Sequence, residues 1–346
     1  MRITVVGAGA IGGTTGAYLA RAGEDVLLVD AAREHVDAIK TRGLKITGIK
    51  GEFTVQVPAI TPDQLAGSLE WVFVAVKAHH TEGAVRRLLP CLTERSVIVS
   101  LQNGLNERKI AAIVGSNRVI AAHVNWGSDY HGPGLIWQGG EGAFYIGELD
   151  GSITDRLQWL HSKLSTVTET FITQNIWGFK WAKQCLASMT FATALVDAYV
   201  ADILESERNR RIMVALLGES IRIPVSEGVK LEGFDGYEPS LMLPQSAEEF
   251  KAAIHSLAEM GKHYWQQEKR RTGVWRDLAV RKRKTEIDAR VGELVQMGQA
   301  KGLEMPLNEA VFRMIKEIED GKRQMRWENL DGLARIMEER KVFAFS

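Results

Sequence analysis

The sequence predicts an α/β fold in its first half, a doubly wound parallel sheet, followed by an all-α second half. Three observations carry that expectation. The β-branched run Arg2-Ile-Thr-Val-Val6 passes directly into Gly7-Ala-Gly9-Ala-Ile-Gly12, a strand meeting a helix through a glycine turn. Two later runs, Trp71-Val-Phe-Val-Ala-Val76 and Ser96-Val-Ile-Val-Ser100, are continuously apolar or β-branched, as strands covered on both faces are. Beyond Thr173 the apolar residues recur at helical spacing almost to the C-terminus.

Taken in order, the first strand delivers the chain to Gly7, and a helix follows over about Ala10 to Arg21. A second strand, Val26-Leu-Leu-Val29, ends on Asp30. Leu44 to Thr47 and Phe53 to Val57, separated by Gly48 and Gly51, read as a hairpin beside the sheet. The strand at Trp71–Val76 is followed by a helix over about Thr81 to Leu89, and the one at Ser96–Ser100 by a helix over Glu107 to Val114. Val119 to Ala122, Leu135 to Gln138 and Ala143 to Ile146 read as antiparallel strands completing this domain. The boundary is expected near residue 172, giving domains 1–172 and 173–346. In the second, a helical pattern runs from Trp177 to Val200 and a Gly- and Pro-rich connection from Gly228 to Pro244. Gly302 caps one helix, and Pro306 opens the next.

Composition narrows the function classes. The chain has 346 residues, with 43 basic and 43 acidic side chains and no net charge, so no global field favours nucleic acid or an anionic membrane. The basic run Arg281-Lys-Arg-Lys284 has no aromatic interleaving and reads as a solvated face. No apolar run approaches a membrane span, and the N-terminal stretch, broken by glycines, is not a signal peptide. Cys91 and Cys185 read as thiols in a reducing compartment. The adjacent pair His79-His80 lacks the spacing of a helical metal pair, so no metal is expected. The expectation is a soluble, cytoplasmic protein with a small-molecule ligand.

That ligand is a dinucleotide. G-x-G-x-x-G alone is a weak signal, but a preceding strand, a following helix and a terminal acid make it specific. The turn is tight at Gly7, open at Gly9 for backbone to approach a pyrophosphate, and closely packed at Gly12. The segment Gly7, Ala8, Gly9, Ala10, Ile11 and Gly12 then directs helix N–H groups and a positive dipole end at the phosphates. Asp30, eighteen residues after Gly12, is placed to accept hydrogen bonds from the adenosine ribose and to repel a 2′-phosphate. NAD is therefore favoured over NADP, although Arg33 lies three residues on and can reach a 2′-phosphate.

Lys77 and Asn103 stand at the carboxyl ends of successive strands, where α/β sheets bind ligands; a capping or turn role serves equally for either alone. Lys183, in Trp181-Ala-Lys183-Gln-Cys-Leu-Ala, is a lysine in apolar company that either snorkels to water or does chemistry. Glu286, in Thr285-Glu-Ile-Asp288, looks like an acid in the first turn of a helix.

These motifs together resemble the ketopantoate reductase (2-dehydropantoate 2-reductase) family over nearly the full length: G-A-G-A-I-G, Lys77 after an apolar strand, Gln102-Asn103-Gly104, Trp181-Ala-Lys183, and Thr285-Glu286-Ile-Asp288. The resemblance implies a Rossmann-type domain before a helical substrate and dimerisation domain. It also implies hydride transfer from a nicotinamide to a 2-oxo acid bound in the cleft between them. It implies Lys183 as catalytic acid, Glu286 as the glutamate contacting ribose and steadying that lysine, and Lys77 and Asn103 as cofactor and cleft residues.

Two departures stand out. Where the family carries asparagines one and two turns after the lysine, this chain has Ala187 and Phe191. Arg276 is a candidate for binding the substrate carboxylate, with an ion pair to a nearby acid as the other reading. The departures leave open a paralogous hydroxyacid dehydrogenase, an imine-forming reductase, or a dinucleotide-sensing protein without turnover. A homodimer is compatible with the helical domain.

Overall fold

The computed structural model describes residues 1–266, 268 and 270–340. They divide into two compact units, Met1–Ile176 and Trp177–Ser346, a division four residues beyond the expected boundary near 172. Residues 341–346 of the expected second domain lie outside the described residues.

The first unit is built from strands β1 (Ile3–Val6), β2 (Val26–Val29), β3 (Leu44–Gly48), β4 (Phe53–Val55), β5 (Ala59–Ile60), β6 (Leu69–Val74), β7 (Leu92–Ser100), β8 (Val119–Val124), β9 (Gly127–Gly132), β10 (Leu135–Gly140), β11 (Phe144–Glu148) and β12 (Thr170–Ile172). Its helices are α1 (Ala10–Arg21), α2 (Arg33–Arg42), α3 (Thr81–Leu88), α4 (Asn106–Val114) and α5 (Asp155–Leu164). The main sheet runs β12-β11-β8-β7-β6-β1-β2-β5. Its six strands from β5 to β8 are parallel, and the order reverses between β1 and β6. This is the doubly wound arrangement, whose switch point lies at the carboxyl end of β1.

The continuous apolar strands are explained by burial on both faces. Ile3 and Val5 of β1 pack into one core with Leu28, Trp71, Phe73 and Val99, while Val6 packs into the other with Val29, Val72, Val74 and Ile98. Successive side chains alternate between faces, so a strand covered twice must be apolar throughout.

Two sequence expectations change here. β8 is antiparallel only to β11 and is parallel to β7, so it is the sixth strand of the parallel set. β10 is antiparallel to β9, as expected of it, but lies in a second, four-stranded sheet, β4-β3-β10-β9, where its other pairing, with β3, is parallel. The hairpin of β3 and β4 is present as expected, as the edge of that second sheet.

The second unit is helical: α6 (Ile176–Thr193, beginning at the unit boundary), α7 (Val200–Glu205), α8 (Glu207–Ser226), α9 (Ala247–Gln266), the single turn α10 (Gly273–Trp275), α11 (Glu293–Ala300), α12 (Pro306–Glu319) and α13 (Glu328–Glu339). The pattern expected to run from Trp177 to Val200 is thus divided. Before α11 lie two wide turns with i to i+5 bonds, Arg281 N–H to the Arg276 carbonyl (2.8 Å) and Gly292 N–H to the Ile287 carbonyl (2.9 Å). Such turns frequently accompany functional sites. No helix among the described residues is long and apolar enough to cross a membrane.

Candidate active site

The glycine loop joins β1 to α1 at the switch point. Gly7 has φ +96°, and a Cβ there would lie 2.8 Å from the Val76 nitrogen, so both conformation and space require glycine. At Gly12 an added Cβ would fall 2.0 Å from the Gly7 carbonyl oxygen. Gly9 is different: its Cβ would meet nothing within 4 Å, and it precedes α1 with no side-chain cap. Two glycines are therefore demanded by the protein's own atoms, and the third opens onto free space at a helix N-terminus. That is a cradle suited to a dinucleotide pyrophosphate.

Asp30 follows β2 and turns back to this loop. Its Oδ2 accepts the Ala8 N–H (2.8 Å) and its Oδ1 the Ala32 N–H (2.9 Å). The acid expected at the ribose therefore also fixes the loop to the start of α2. Arg33 is exposed and acts electrostatically on Asp63, in the turn after β5.

Lys77 lies three residues beyond the end of β6, not at the strand's close, and is exposed at the head of a short turn over residues 78–80. Asn103 is also exposed, and its carbonyl accepts the Asn106 side-chain amide (2.7 Å), with Gly104 at φ +89° completing the turn into α4. Gln102 joins the two strand ends by donating to the Val76 carbonyl and to Thr81 Oγ1, both at 2.7 Å.

In the second unit, Lys183 is half-buried on α6 among the fully buried Trp181, Ala182, Gln184 and Cys185. Burial pushes the Cys185 thiol far above its ordinary range, leaving it protonated and inert. The Lys183 carbonyl accepts from Arg290 Nη2 (2.9 Å), and Gln184 Nε2 donates to the Arg290 carbonyl (3.1 Å). This reciprocal pair fixes α6 against the wide turn that carries Arg290. Burial lowers the Arg290 guanidinium pKa, and the charges of Glu286 and Glu293 oppose that shift.

Glu286 is half-buried and sits two residues before the wide turn Asp288–Gly292, not within a helix as the sequence suggested. Both its flanks are held from the end of α12. Glu319 accepts the Thr285 N–H (2.7 Å) and hydroxyl (2.6 Å), and Lys316 pairs with Asp288 (3.0 Å). Arg276 is half-buried, its pKa lowered by burial and by the Arg281 charge. The neighbouring acid, Asp277, accepts from Arg281 (3.0 Å) and Arg283 (3.0 Å), so two members of the basic run are engaged within the fold.

Ala187 and Phe191 are buried on α6, at 2% and 3% exposure, so these positions add apolar surface where asparagines would offer hydrogen bonds. Sequence reasoning missed Arg290 and Glu319. A signal for Arg290 was present: it falls three residues after Ile287 and four before Leu294, on the buried stripe.

The doubly wound sheet with its glycine loop, followed by a helical unit, defines a class of dinucleotide-dependent oxidoreductases. The chain belongs to the ketopantoate reductase PanE/ApbA family, whose model matches residues 3–151 and whose C-terminal model matches residues 175–319. A 2-dehydropantoate 2-reductase from Pyrococcus horikoshii is 28% identical over 324 residues, spanning 91% of this chain and 97% of that protein. The crystal structure of a PanE/ApbA family ketopantoate reductase from Ralstonia eutropha JMP134 is 26% identical, with a TM-score of 0.78 over 93% of this chain and 99% of that one. A D-mandelate dehydrogenase solved with NADH and anilino(oxo)acetate, 21% identical, shares the fold at a TM-score of 0.79, with 93% and 99% covered.

Proposed function

We propose that this protein reduces a 2-oxo acid to the 2-hydroxy acid, with ketopantoate the first substrate to try and a reduced nicotinamide dinucleotide as donor. The observation that carries the proposal is the open space at Gly9, beside two glycines that the protein's own packing requires. Bound on this loop, NADH or NADPH supplies the hydride. The residues of the loop, Gly7 to Gly12, hold the pyrophosphate, with Lys77 and Asn103 meeting the rest of the cofactor and Asn103 also the substrate.

Lys183 is the general acid. Negative charge grows on the ketone oxygen as hydride arrives at carbon, and an ammonium aimed at that oxygen stabilises it more in the transition state than in the ground state. The Lys183 ammonium then gives its proton to the alkoxide. Glu286, near the Arg290 cation and fixed on both flanks, steadies the lysine. Arg276, half-buried in the wide turn before α11, binds the substrate carboxylate.

Asp30 supports NADH over NADPH, because a carboxylate at the end of β2 repels a 2′-phosphate. Buried Ala187 and Phe191 favour a second reading of the substrate, a 2-oxo acid with an apolar side chain in place of a hydroxylated one.

The test is steady-state oxidation of NADH and NADPH with ketopantoate and with alkyl- and aryl-substituted 2-oxo acids. Replacing Lys183 by Ala is expected to lower kcat by about 10² to 10⁴ and leave dinucleotide affinity nearly unchanged. Full turnover in that variant would end the proposed mechanism. Tight cofactor binding with no oxidation across the panel would favour a sensor.

A further inference from the structure

The Ala8 residue is held at both of its backbone polar groups. Its N–H donates to Asp30 Oδ2 (2.8 Å), and its carbonyl oxygen lies 2.8 Å from His35 Nε2. His35, on the first turn of α2, is 1% exposed. The Gly134 N–H donates to its Nδ1 at 3.0 Å, so that nitrogen is the acceptor and the ring proton sits on Nε2, where it donates to the Ala8 carbonyl. The tyrosine of β9, Tyr130, packs edge-on against the same ring, with centroids 5.1 Å apart. The imidazole therefore bridges two backbone groups from segments far apart in sequence.

That bond sets the direction of the next N–H. A trans peptide is planar, with its carbonyl and N–H pointing in opposite directions, and the described residues contain no cis peptide. With the Ala8 carbonyl turned inward onto His35, the Gly9 N–H must turn away from it. The reverse orientation would place a carbonyl oxygen where an anion is to bind. We infer that His35 is a positioning residue for pyrophosphate binding, acting through the Ala8–Gly9 peptide to keep that N–H presented to the anion. The inference rests on the reading of the loop as a dinucleotide site.

The test compares wild type with His35→Phe, which keeps the ring packing but cannot donate, and His35→Gln, whose amide can both donate and accept. Dissociation constants are measured for NADH, ADP-ribose and adenosine, with the thermal midpoint recorded for each variant. His35→Phe is expected to weaken NADH and ADP-ribose by about tenfold or more, with adenosine unaffected, and His35→Gln to recover most of the loss. Should His35→Phe not fold, His35→Ala serves in its place.

The inference is overturned if the non-donating variant binds ADP-ribose as wild type does. Equal losses for adenosine and ADP-ribose, or no recovery in His35→Gln, would overturn it too, since those are the marks of general loosening. A wild-type protein that binds neither NADH nor ADP-ribose would remove the dinucleotide reading and this role together. That outcome differs from a failure confined to the variants.

Discussion

The glycine loop of the first unit and the Lys183–Glu286 region of the second are fixed by opposite means. The loop is shaped by missing atoms: a Cβ at Gly7 or Gly12 would collide with backbone, so the turn can be drawn only because those side chains are absent. The second region is shaped by long side chains reaching in from elsewhere. Arg290 holds the Lys183 carbonyl, and Glu319 and Lys316 hold the residues on either side of Glu286. A turn built by omission leaves its signature in six consecutive residues, whereas one built by reach leaves it scattered over more than a hundred.

The contrast has consequences that can be measured, and the largest lies within the loop. Gly12→Ala puts a methyl group 2.0 Å from the Gly7 oxygen, and a loss of at least about 3 kcal/mol in urea unfolding is expected, since backbone on both sides must move. Gly9→Ala meets no protein atom and has an ordinary φ of −71°. It should leave the urea midpoint nearly where it was while weakening NADH binding by about tenfold or more, because on the proposed reading that space belongs to the pyrophosphate. Equal stability losses in the two variants would remove the distinction between a glycine needed for packing and one needed for binding.

In the second unit the expected effects are smaller. Glu319→Ala leaves the Thr285 N–H and hydroxyl without their acceptor and should cost about 1–3 kcal/mol. If Lys183 is the general acid and Glu286 steadies it, as proposed, the same variant lowers kcat more than it raises the cofactor KM. A change in KM alone would show that the segment does not serve the chemical step.

The smallest effect concerns pH. Burial raises the Glu219 carboxyl pKa, opposed by hydrogen bonds from the Leu307 and Asn308 backbone and the Asn308 amide. The folded state therefore holds this proton more readily than the unfolded chain. The stability it contributes is fully present below the unfolded carboxylate value and is lost as pH rises through the raised folded one. Relative to Glu219→Gln, which does not titrate, the wild-type thermal midpoint should fall across that interval. A constant difference between the two would show that Glu219 has the same pKa folded and unfolded.

Legibility followed the same division. The strand, the loop and α1 could be read residue by residue, because each contact that makes them is local or is a steric demand on one glycine. β9 was missed, since Gly127-Ser-Asp-Tyr-His-Gly132 carries little strand propensity and is ordered by pairing with β10. The parallel pairing of β10 went unread for a related reason: its partner, β3, lies some ninety residues earlier. His35 sits beside Val36 and four residues before Ile39 on the buried side of α2, a pattern that marks it as buried but not as a hydrogen-bond bridge. Lys183 and Glu286 stood out only through family resemblance, because a lysine on an apolar helix and an acid before a turn have ordinary structural explanations.

Alternating burial and steric exclusion act on neighbouring residues, so the chain's order of letters was enough to define the doubly wound unit, its glycine turn and the helical character of the second half. The pairing of Arg290 with Lys183, of Glu319 with Thr285, and of His35 with both Ala8 and Gly134 depends on where distant backbone groups arrive once the elements have packed. A hydrogen bond is satisfied by position and direction, not by the identity of the residue that supplies a backbone carbonyl or amide, and those two quantities exist only in the folded chain.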